Sequence, residues 1–348
     1  MDSNLLLCRP GFESDCAAEM DAVSRDASLW GYARAAEGQG YLVWHTPQQP
    51  AERLADIHPV FARTGWPVLD AFGPLPENRI EALLALLDNV EPVDELRLEH
   101  PDTNEGRGLH RFLKRFRRPL EAALTRQGLL KSGGRNRCLH LFFTDSRHGY
   151  AGLSEGGSAG PWENGIPRLK LSAEAPSRSA LKIEEACRRL LDAQERAHWL
   201  RSGRDAVDLG AAPGGWSWFL ASRGLRVTAV DHGRLAEGLE AQYPVTRVAA
   251  DAFTWRPPSP VDWLVCDVVD KPARTRALME QWLSRGWARL ALFNLKLPMK
   301  QRYAQVEQLR ARLREGLDKA GLRVQIRAAH LYHDRDEVTL LVLPSQQG

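Results

Sequence analysis

Two rhythms of apolar and polar positions divide this chain. In the second half, short apolar runs at 206–209, 226–231, 246–251, 261–269 and 287–297 predict strands, and amphipathic stretches such as 271–284 and 302–320 predict helices between them. That alternation predicts a mostly parallel, doubly wound sheet. The last segment breaks it: 322–330 and 337–343 read as two strands joined by the polar Tyr332-His333-Asp334-Arg335-Asp336, which predicts an antiparallel strand at the sheet edge. The first half is less regular. A strand at 5–9, a helix at 13–27, a hairpin at 32–46 around Gly38-Gln39-Gly40, strands at 66–72, 93–99 and 138–144, and helices at 79–87 and 109–126 predict α+β modules. Between the halves, 151–167 is rich in glycine and serine and reads as a linker. The expected division is 1–55, 56–150, the linker 151–167, and 168–348.

Composition narrows the class. The chain has 348 residues, 43% hydrophobic and 26% charged, the balance of a globular protein. No apolar run reaches the ~20 residues of a membrane span, and Asn4-Leu5-Leu6-Leu7-Cys8 lacks the basic start of a signal peptide. The five cysteines are scattered with no Cys-x-x-Cys pair, so neither a metal site nor a disulfide framework is expected, and a cytoplasmic location fits. Nothing suggests an obligate interface, so a monomer is expected. Net charge is only +3, but from Arg107 to Arg137 ten bases face the single acid Glu121. His110, Phe112 and Phe116 lie among them. A one-signed, aromatic-containing stretch is as consistent with a polyanion partner as with a solvated face. His100, His110, His140 and His148 look isolated and read as core or surface histidines.

The sharpest chemical signal is Asp208-Leu209-Gly210-Ala211-Ala212-Pro213-Gly214-Gly215-Trp216, a strand end, a glycine turn and a helix start. Asp231 ends the next strand about 20 residues after the first glycine, where a ribose is gripped. Asp251 and Asp267 sit at the predicted ends of further strands, and ligands of open α/β sheets bind at those ends. A dinucleotide prefers Gly-x-Gly-x-x-Gly, whereas this turn reads Gly-x-x-Pro-Gly-Gly. The surplus of acids favours a cationic ligand, S-adenosyl-L-methionine, over a nicotinamide dinucleotide. Lys296 ends an otherwise apolar strand, where burial works against its charged form. Lys182 lies at the start of an amphipathic helix whose apolar side includes Ile183, Ala186 and Leu190, and Glu337 opens the last strand.

Around Asp-Leu-Gly-x-x-Pro-Gly-Gly-Trp, the set Lys182, Asp267, Lys296 and Glu337 resembles the Lys-Asp-Lys-Glu set of the FtsJ-like RNA ribose 2′-O-methyltransferases. The runs Gly165-Ile166-Pro167-Arg168-Leu169-Lys170, Ser177-Arg178-Ser179-Ala180-Leu181-Lys182-Ile183-Glu184-Glu185-Ala186 and Phe293-Asn294-Leu295-Lys296-Leu297-Pro298-Met299-Lys300 are similar to the bacterial subgroup that methylates a 23S rRNA cytidine. The resemblance implies a ferredoxin-like α+β module at 1–55, a THUMP-like RNA-binding module at 56–150 and a Rossmann-like methyltransferase domain at 168–348. It implies that Lys296 accepts a proton, with Lys182, Asp267 and Glu337 as its catalytic partners. It places Ser179, Ala212, Pro213, Gly214, Gly215, Asp231, Asp251 and Asp267 around S-adenosyl-L-methionine, and 23S rRNA as the partner. The chain departs from the family at Val268-Val269-Asp270-Lys271-Pro272, where Asp-x-x-Pro is usual. Asp336 competes with Glu337 for the fourth place in the set. Two rival functions remain at this point: a dinucleotide-dependent oxidoreductase, and a non-catalytic RNA-binding or ribosome assembly factor.

Overall fold

A computed structural model describes residues 2–47, 59–131, 133 and 136–345. The chain divides into two units, Met1–Pro167 and Arg168–Gly348. The expected boundary near 168 is therefore where the units part, whereas the expected 55/56 boundary lies outside the described residues.

In the first unit the elements are β1 (Ser3–Cys8), α1 (Glu13–Asp26), β2 (Tyr32–Arg34), β3 (Tyr41–His45), β4 (Ala62–Phe72), α2 (Arg79–Leu86), β5 (Glu95–Glu99), α3 (Asn104–Arg126), β6 (Arg137–Phe143) and β7 (Gly149–Glu155). They build one seven-stranded sheet, in the order β2-β3-β1-β4-β7-β6-β5. Strand β4 joins its two parts: Ala62 to Pro67 pair with β1, and Val68 to Phe72 pair with β7. Two apolar clusters follow from this, one around Leu5, Val43, Trp66 and Phe142 and one around Leu83, Leu98, Leu113, Leu120 and Leu141.

Two expectations need correction here. Residues 151–167 do not form a simple linker, because Gly149–Glu155 is a strand between β4 and β6. Its glycines are packing residues: a Cβ at Gly152 would strike the Trp66 ring, and one at Gly149 would strike Phe72 and the Phe142 carbonyl. Helix α3 begins five residues before the expected Leu109, because the Thr103 hydroxyl accepts the Gly106 N–H at 2.9 Å and caps it there.

In the second unit the elements are α4 (Ala180–Leu190), α5 (Ala193–Trp199), β8 (Asp205–Leu209), α6 (Gly215–Ala221), β9 (Arg226–Val230), α7 (Leu239–Gln242), β10 (Val245–Val248), β11 (Val261–Cys266), α8 (Pro272–Ser284), β12 (Ala288–Lys296), α9 (Arg302–Lys319), β13 (Val324–Ala329) and β14 (Glu337–Pro344). The sheet order is β10-β9-β8-β11-β12-β14-β13. Strands β8 to β12 run parallel, and β14 runs antiparallel to both of its neighbours. The antiparallel strand expected at the edge thus lies one place in, with β13 outside it, because the last hairpin folds its second arm back against β12.

Strand order reverses at β8/β11, which makes the carboxyl ends of these strands the topological switch point where open α/β sheets bind ligands. Trp263, Leu264, Val265 and Cys266 of β11 and Leu290, Ala291, Phe293 and Leu295 of β12 are completely buried. Burial on both faces explains their unbroken apolar sequence. Each large side chain there contributes roughly 1.5–3 kcal/mol, enough to hold the strand ends as a rigid platform.

Candidate active site

The glycine turn follows β8. Gly210 and Gly214 have φ of +77° and +109°, a region that favours glycine. Gly215 opens α6 directly against the start of α4: a Cβ there would collide with the Ser177 and Ser179 hydroxyls, which lie 2.7 Å apart. Asp231, just past β9, ties the turn from the other side. Its Oδ2 accepts the Ala212 N–H at 2.9 Å and its Oδ1 the Gly233 N–H at 2.7 Å. Ser179, Ala212, Pro213, Gly214, Gly215 and Asp231 thus surround one turn. Asp251 lies beyond β10, which ends at Val248 rather than at the expected 251; it is exposed, and its Oδ1 accepts the Phe253 N–H at 2.8 Å. Asp208 is buried at the end of β8 with its Oδ2 accepting the Ser217 hydroxyl at 2.7 Å. Burial pushes its carboxyl up to about 7 against that hydrogen bond, and the nearby Asp267 and Asp231 charges add to the rise.

Beside this turn, four charged side chains meet. Lys182 Nζ donates to Asp267 Oδ2 at 2.9 Å and to Glu337 Oε1 at 2.6 Å. Lys296 Nζ donates to Asp267 Oδ1 at 3.2 Å and to Glu337 Oε2. Lys182 comes from α4, Asp267 from the end of β11, and Lys296 and Glu337 are cross-strand partners in the β12/β14 ladder. Of the two neighbouring acids, Glu337 is buried and faces the lysines, whereas Asp336 is exposed and meets this region through its backbone carbonyl, which accepts the Leu297 N–H at 2.8 Å. Burial works against the Lys182 ammonium, but the Asp267 and Glu337 carboxylates outweigh it and hold its pKa above the ordinary lysine value. Burial likewise opposes the Asp267 carboxylate, and the two lysines outweigh it and hold Asp267 below the usual range. The result is a partly buried square of two cations and two anions, with each carboxylate bridging both lysines.

Three polar residues that the sequence did not single out stand behind the square. Asn294 Nδ2 donates to Asp267 Oδ1 at 2.8 Å, and Thr339 Oγ1 donates to Asn294 Oδ1 at 2.7 Å. Thr339 Oγ1 also lies 3.1 Å from Oδ2 of Asp334. The available signal was the period of a strand. Asn294 sits two residues before Lys296 and Thr339 two after Glu337, so each shares a sheet face with a residue of the square.

In the first unit, Arg111, Lys114, Arg115 and Arg118 of α3 are exposed and carry no ion pair among the described residues. Other members of the basic stretch are neutralised: Arg117 pairs with Glu121 and Glu163, Arg137 with Glu91 and Glu155, and Arg107 with Asp102 at 3.7 Å. Arg135 lies outside the described residues. Phe112 and Phe116 stack at 5.2 Å, Arg79 lies 5.5 Å over Phe112, and a groove beside them is lined by Arg111 and Arg115. His140 is not isolated as expected. Its ring joins Glu99 at 2.8 Å and Ser154 at 2.8 Å, the hydrogen-bond order of a hydrolytic triad. Glu99 and His140 are completely buried and the Trp66 ring stacks on His140, so no substrate reaches them and the trio fastens β5, β6 and β7 together. Among the described residues no group of three or more His, Cys, Asp or Glu side chains is arranged to hold a metal ion, and no helix is long and apolar enough to cross a membrane.

Comparison with known proteins places this geometry. Residues 175–305, which carry the glycine turn and three of the four charged residues, match the family model described as FtsJ-like methyltransferase. Residues 1–64 match the RlmM ferredoxin-like domain, and residues 78–155 match the N-terminal model of ribosomal RNA large subunit methyltransferase M. A protein of that name from Alkalilimnicola ehrlichii is 49% identical over 97% of this chain and 93% of its own length. The chain belongs to the ribosomal RNA large subunit methyltransferase M family. Members from Pectobacterium atrosepticum and Pseudomonas fluorescens are each 43% identical, covering 98% and 97% of this chain and 96% of their own lengths. The protein is therefore an rRNA methyltransferase with a Rossmann-like catalytic domain, which removes the oxidoreductase and the inert assembly factor as readings.

Proposed function

We propose that the protein transfers a methyl group from S-adenosyl-L-methionine to a ribose 2′-hydroxyl of a cytidine in 23S rRNA, in the peptidyl-transferase region, with Lys296 as proton acceptor. The observation that carries this reading is the square of Lys182, Asp267, Lys296 and Glu337 beside the glycine turn. The residues around the turn fit the methyl donor. Gly214 and Gly215 let the turn pack tightly against Leu239 and the Ser177 and Ser179 hydroxyls, and each Asp231 oxygen, holding one N–H, keeps a lone pair for a ribose hydroxyl. Asp231 and Asp251, beyond the ends of the neighbouring strands β9 and β10, supply acidic groups that suit a cation. When bound, S-adenosyl-L-methionine supplies an electrophilic sulfonium methyl.

A 2′-hydroxyl is a weak acid and needs a base held against it. Lys296 Nζ, held between two carboxylates, must first release its ammonium proton to solvent; the neutral amine then takes the hydroxyl proton as the oxygen bonds to the methyl carbon and the sulfur–methyl bond breaks, the sulfur leaving as a neutral thioether. Lys182 keeps its own proton, because Asp267 and Glu337 stabilise the ammonium, and it offsets the negative charge growing on that oxygen. Methylation at a pyrimidine carbon through a cysteine nucleophile is disfavoured: Cys266, beside the square, is completely buried, and burial pushes its thiol up to about 12. Exposed Arg111, Lys114, Arg115 and Arg118, with the Phe112/Phe116 pair, supply phosphate and base contacts for RNA. The choice of a 23S cytidine follows the resemblance carried by the 177–186 and 293–300 runs. The test is labelled S-adenosyl-L-methionine with large-subunit rRNA lacking the modification, followed by mapping of the product. A ribose 2′-O-methyl on a cytidine supports the reading, and a methyl on a base refutes it.

A further inference from the structure

The hydrogen-bond directions behind the square imply a further member of the apparatus. Asp267 accepts from both lysines, so it is a carboxylate with only lone pairs to offer. Asn294 must therefore turn its NH₂ towards Asp267, at 2.8 Å, which leaves its own Oδ1 facing the Thr339 oxygen at 2.7 Å. Two oxygens at that distance need a proton between them, and the Thr339 hydroxyl has only one. Thr339 has thus spent its donor on Asn294, yet Asp334 lies at 3.1 Å and 3.3 Å from the same hydroxyl oxygen. The second bond exists only if Asp334 carries the proton and donates it.

We infer that Asp334 is a neutral carboxylic acid that starts a one-way chain of donors, Asp334 to Thr339 to Asn294 to Asp267, and so positions the carboxylate that orients both active-site lysines. The surroundings agree. Asp334 has no exposed surface, and its Oδ2 accepts the Leu331 N–H at 3.0 Å. Among the charges acting on it, Glu337 and Glu185 oppose ionisation and Lys182 favours it; burial together with Glu337 pushes the carboxyl well above its ordinary value. The loop bearing Asp334 is pinned by Glu185 of α4, whose carboxylate accepts from Tyr332 N at 2.8 Å, His333 N at 3.0 Å and the His333 ring at 2.7 Å. One helix therefore fixes both Lys182 and the start of the chain of donors. Asp334 does not touch the reacting atoms; it is a positioning residue, and this role rests on the assignment of the square as the reacting site.

The test uses the full chain and steady-state methyl transfer over a range of pH. Asp334→Asn keeps a donor for Thr339 and an acceptor for Leu331. It is expected to retain kcat within about twofold, with an unchanged pH profile. Asp334→Ala removes the donor and is expected to lower kcat roughly 10-fold to 100-fold, with the KM for S-adenosyl-L-methionine unchanged. Thr339→Val should show the same loss and Thr339→Ser should not. This pair carries the test if Asp334→Ala does not fold. Loss in Asp334→Asn equal to that in Asp334→Ala would mean that the charge matters and would overturn the inference, as would full activity of Thr339→Val. Wild-type protein that methylates no ribose would instead remove the proposed function, which keeps the two failures apart.

Discussion

Removing the Asp267 carboxylate should expose how tightly the charged square is balanced. Asp267→Ala leaves Lys182 and Lys296 with Glu337 alone, in a site where the Lys182 and Lys296 side chains are only 16% and 27% exposed. At about 3 Å and an effective dielectric near 20, each lost lysine–carboxylate attraction is about 5 kcal/mol before desolvation is subtracted. The molecule has an escape, because a lysine can shed its proton. From an ordinary pKa of about 10.4 that costs about 4.6 kcal/mol at pH 7, which sets a ceiling. Broken buried pairs cost roughly 3–5 kcal/mol, and with Glu337 still present about 3 kcal/mol is expected. For a unit of this size that lowers Tm by roughly 6–12 °C. The pH dependence has a definite sign. The lowered Asp267 value means that its contribution is complete above the unfolded carboxylate pKa of about 3.9 and fades as pH falls through the folded value. The raised Lys182 value means that its contribution is complete below about 10.4 and is lost as pH rises through the folded value. Calorimetric scans of wild type and Asp267→Ala should thus differ by a constant amount between about pH 8 and 9, above the Asp208 titration that the Asp267 charge also raises, and converge as pH falls through the lowered Asp267 value. A cost under about 0.5 kcal/mol at pH 8, within the range of ordinary surface substitutions, or a gap that does not close once Asp267 is protonated, would refute the reasoning.

Gly215→Ala puts a methyl group onto the Ser177 and Ser179 hydroxyls and should weaken S-adenosyl-L-methionine binding at least about tenfold by calorimetric titration, about 1.4 kcal/mol. The triple change Arg111→Ala, Arg115→Ala and Arg118→Ala should weaken rRNA binding and reduce its log-log salt slope by roughly 2, with the KM for the methyl donor unaltered. An unchanged slope would take α3 out of the RNA contact. Gly152→Ala drives a methyl group into the Trp66 ring and should destabilise the first unit by about 1–3 kcal/mol in urea unfolding.

Much of the second unit was legible because its strands are buried on both faces and its glycine turn has a fixed geometric purpose. Of the square, Lys296 stood out as a charged residue ending an apolar strand, a costly placement, but the four residues as a set were legible only through the resemblance to the FtsJ-like family. The residues behind it were not. Asn294 and Thr339 are unremarkable in composition, and only the register that sets Asn294 opposite Thr339 and Lys296 opposite Glu337 gives them a role. In the first unit, β7 was read as linker because glycine lowers strand propensity, whereas Gly149 and Gly152 are there to let aromatic rings pack against the backbone. The His140 pairing was hidden because Glu99 and Ser154 are brought to it only by neighbouring strands.

The most direct test of the account compares wild type with Lys296→Ala, using labelled S-adenosyl-L-methionine and large-subunit rRNA that lacks the modification. The account predicts a single ribose 2′-O-methyl cytidine with wild type. With Lys296→Ala it predicts no transfer above background and unchanged affinity for the methyl donor. Transfer at the wild-type rate by Lys296→Ala, or a methyl group mapped to a base, would contradict it.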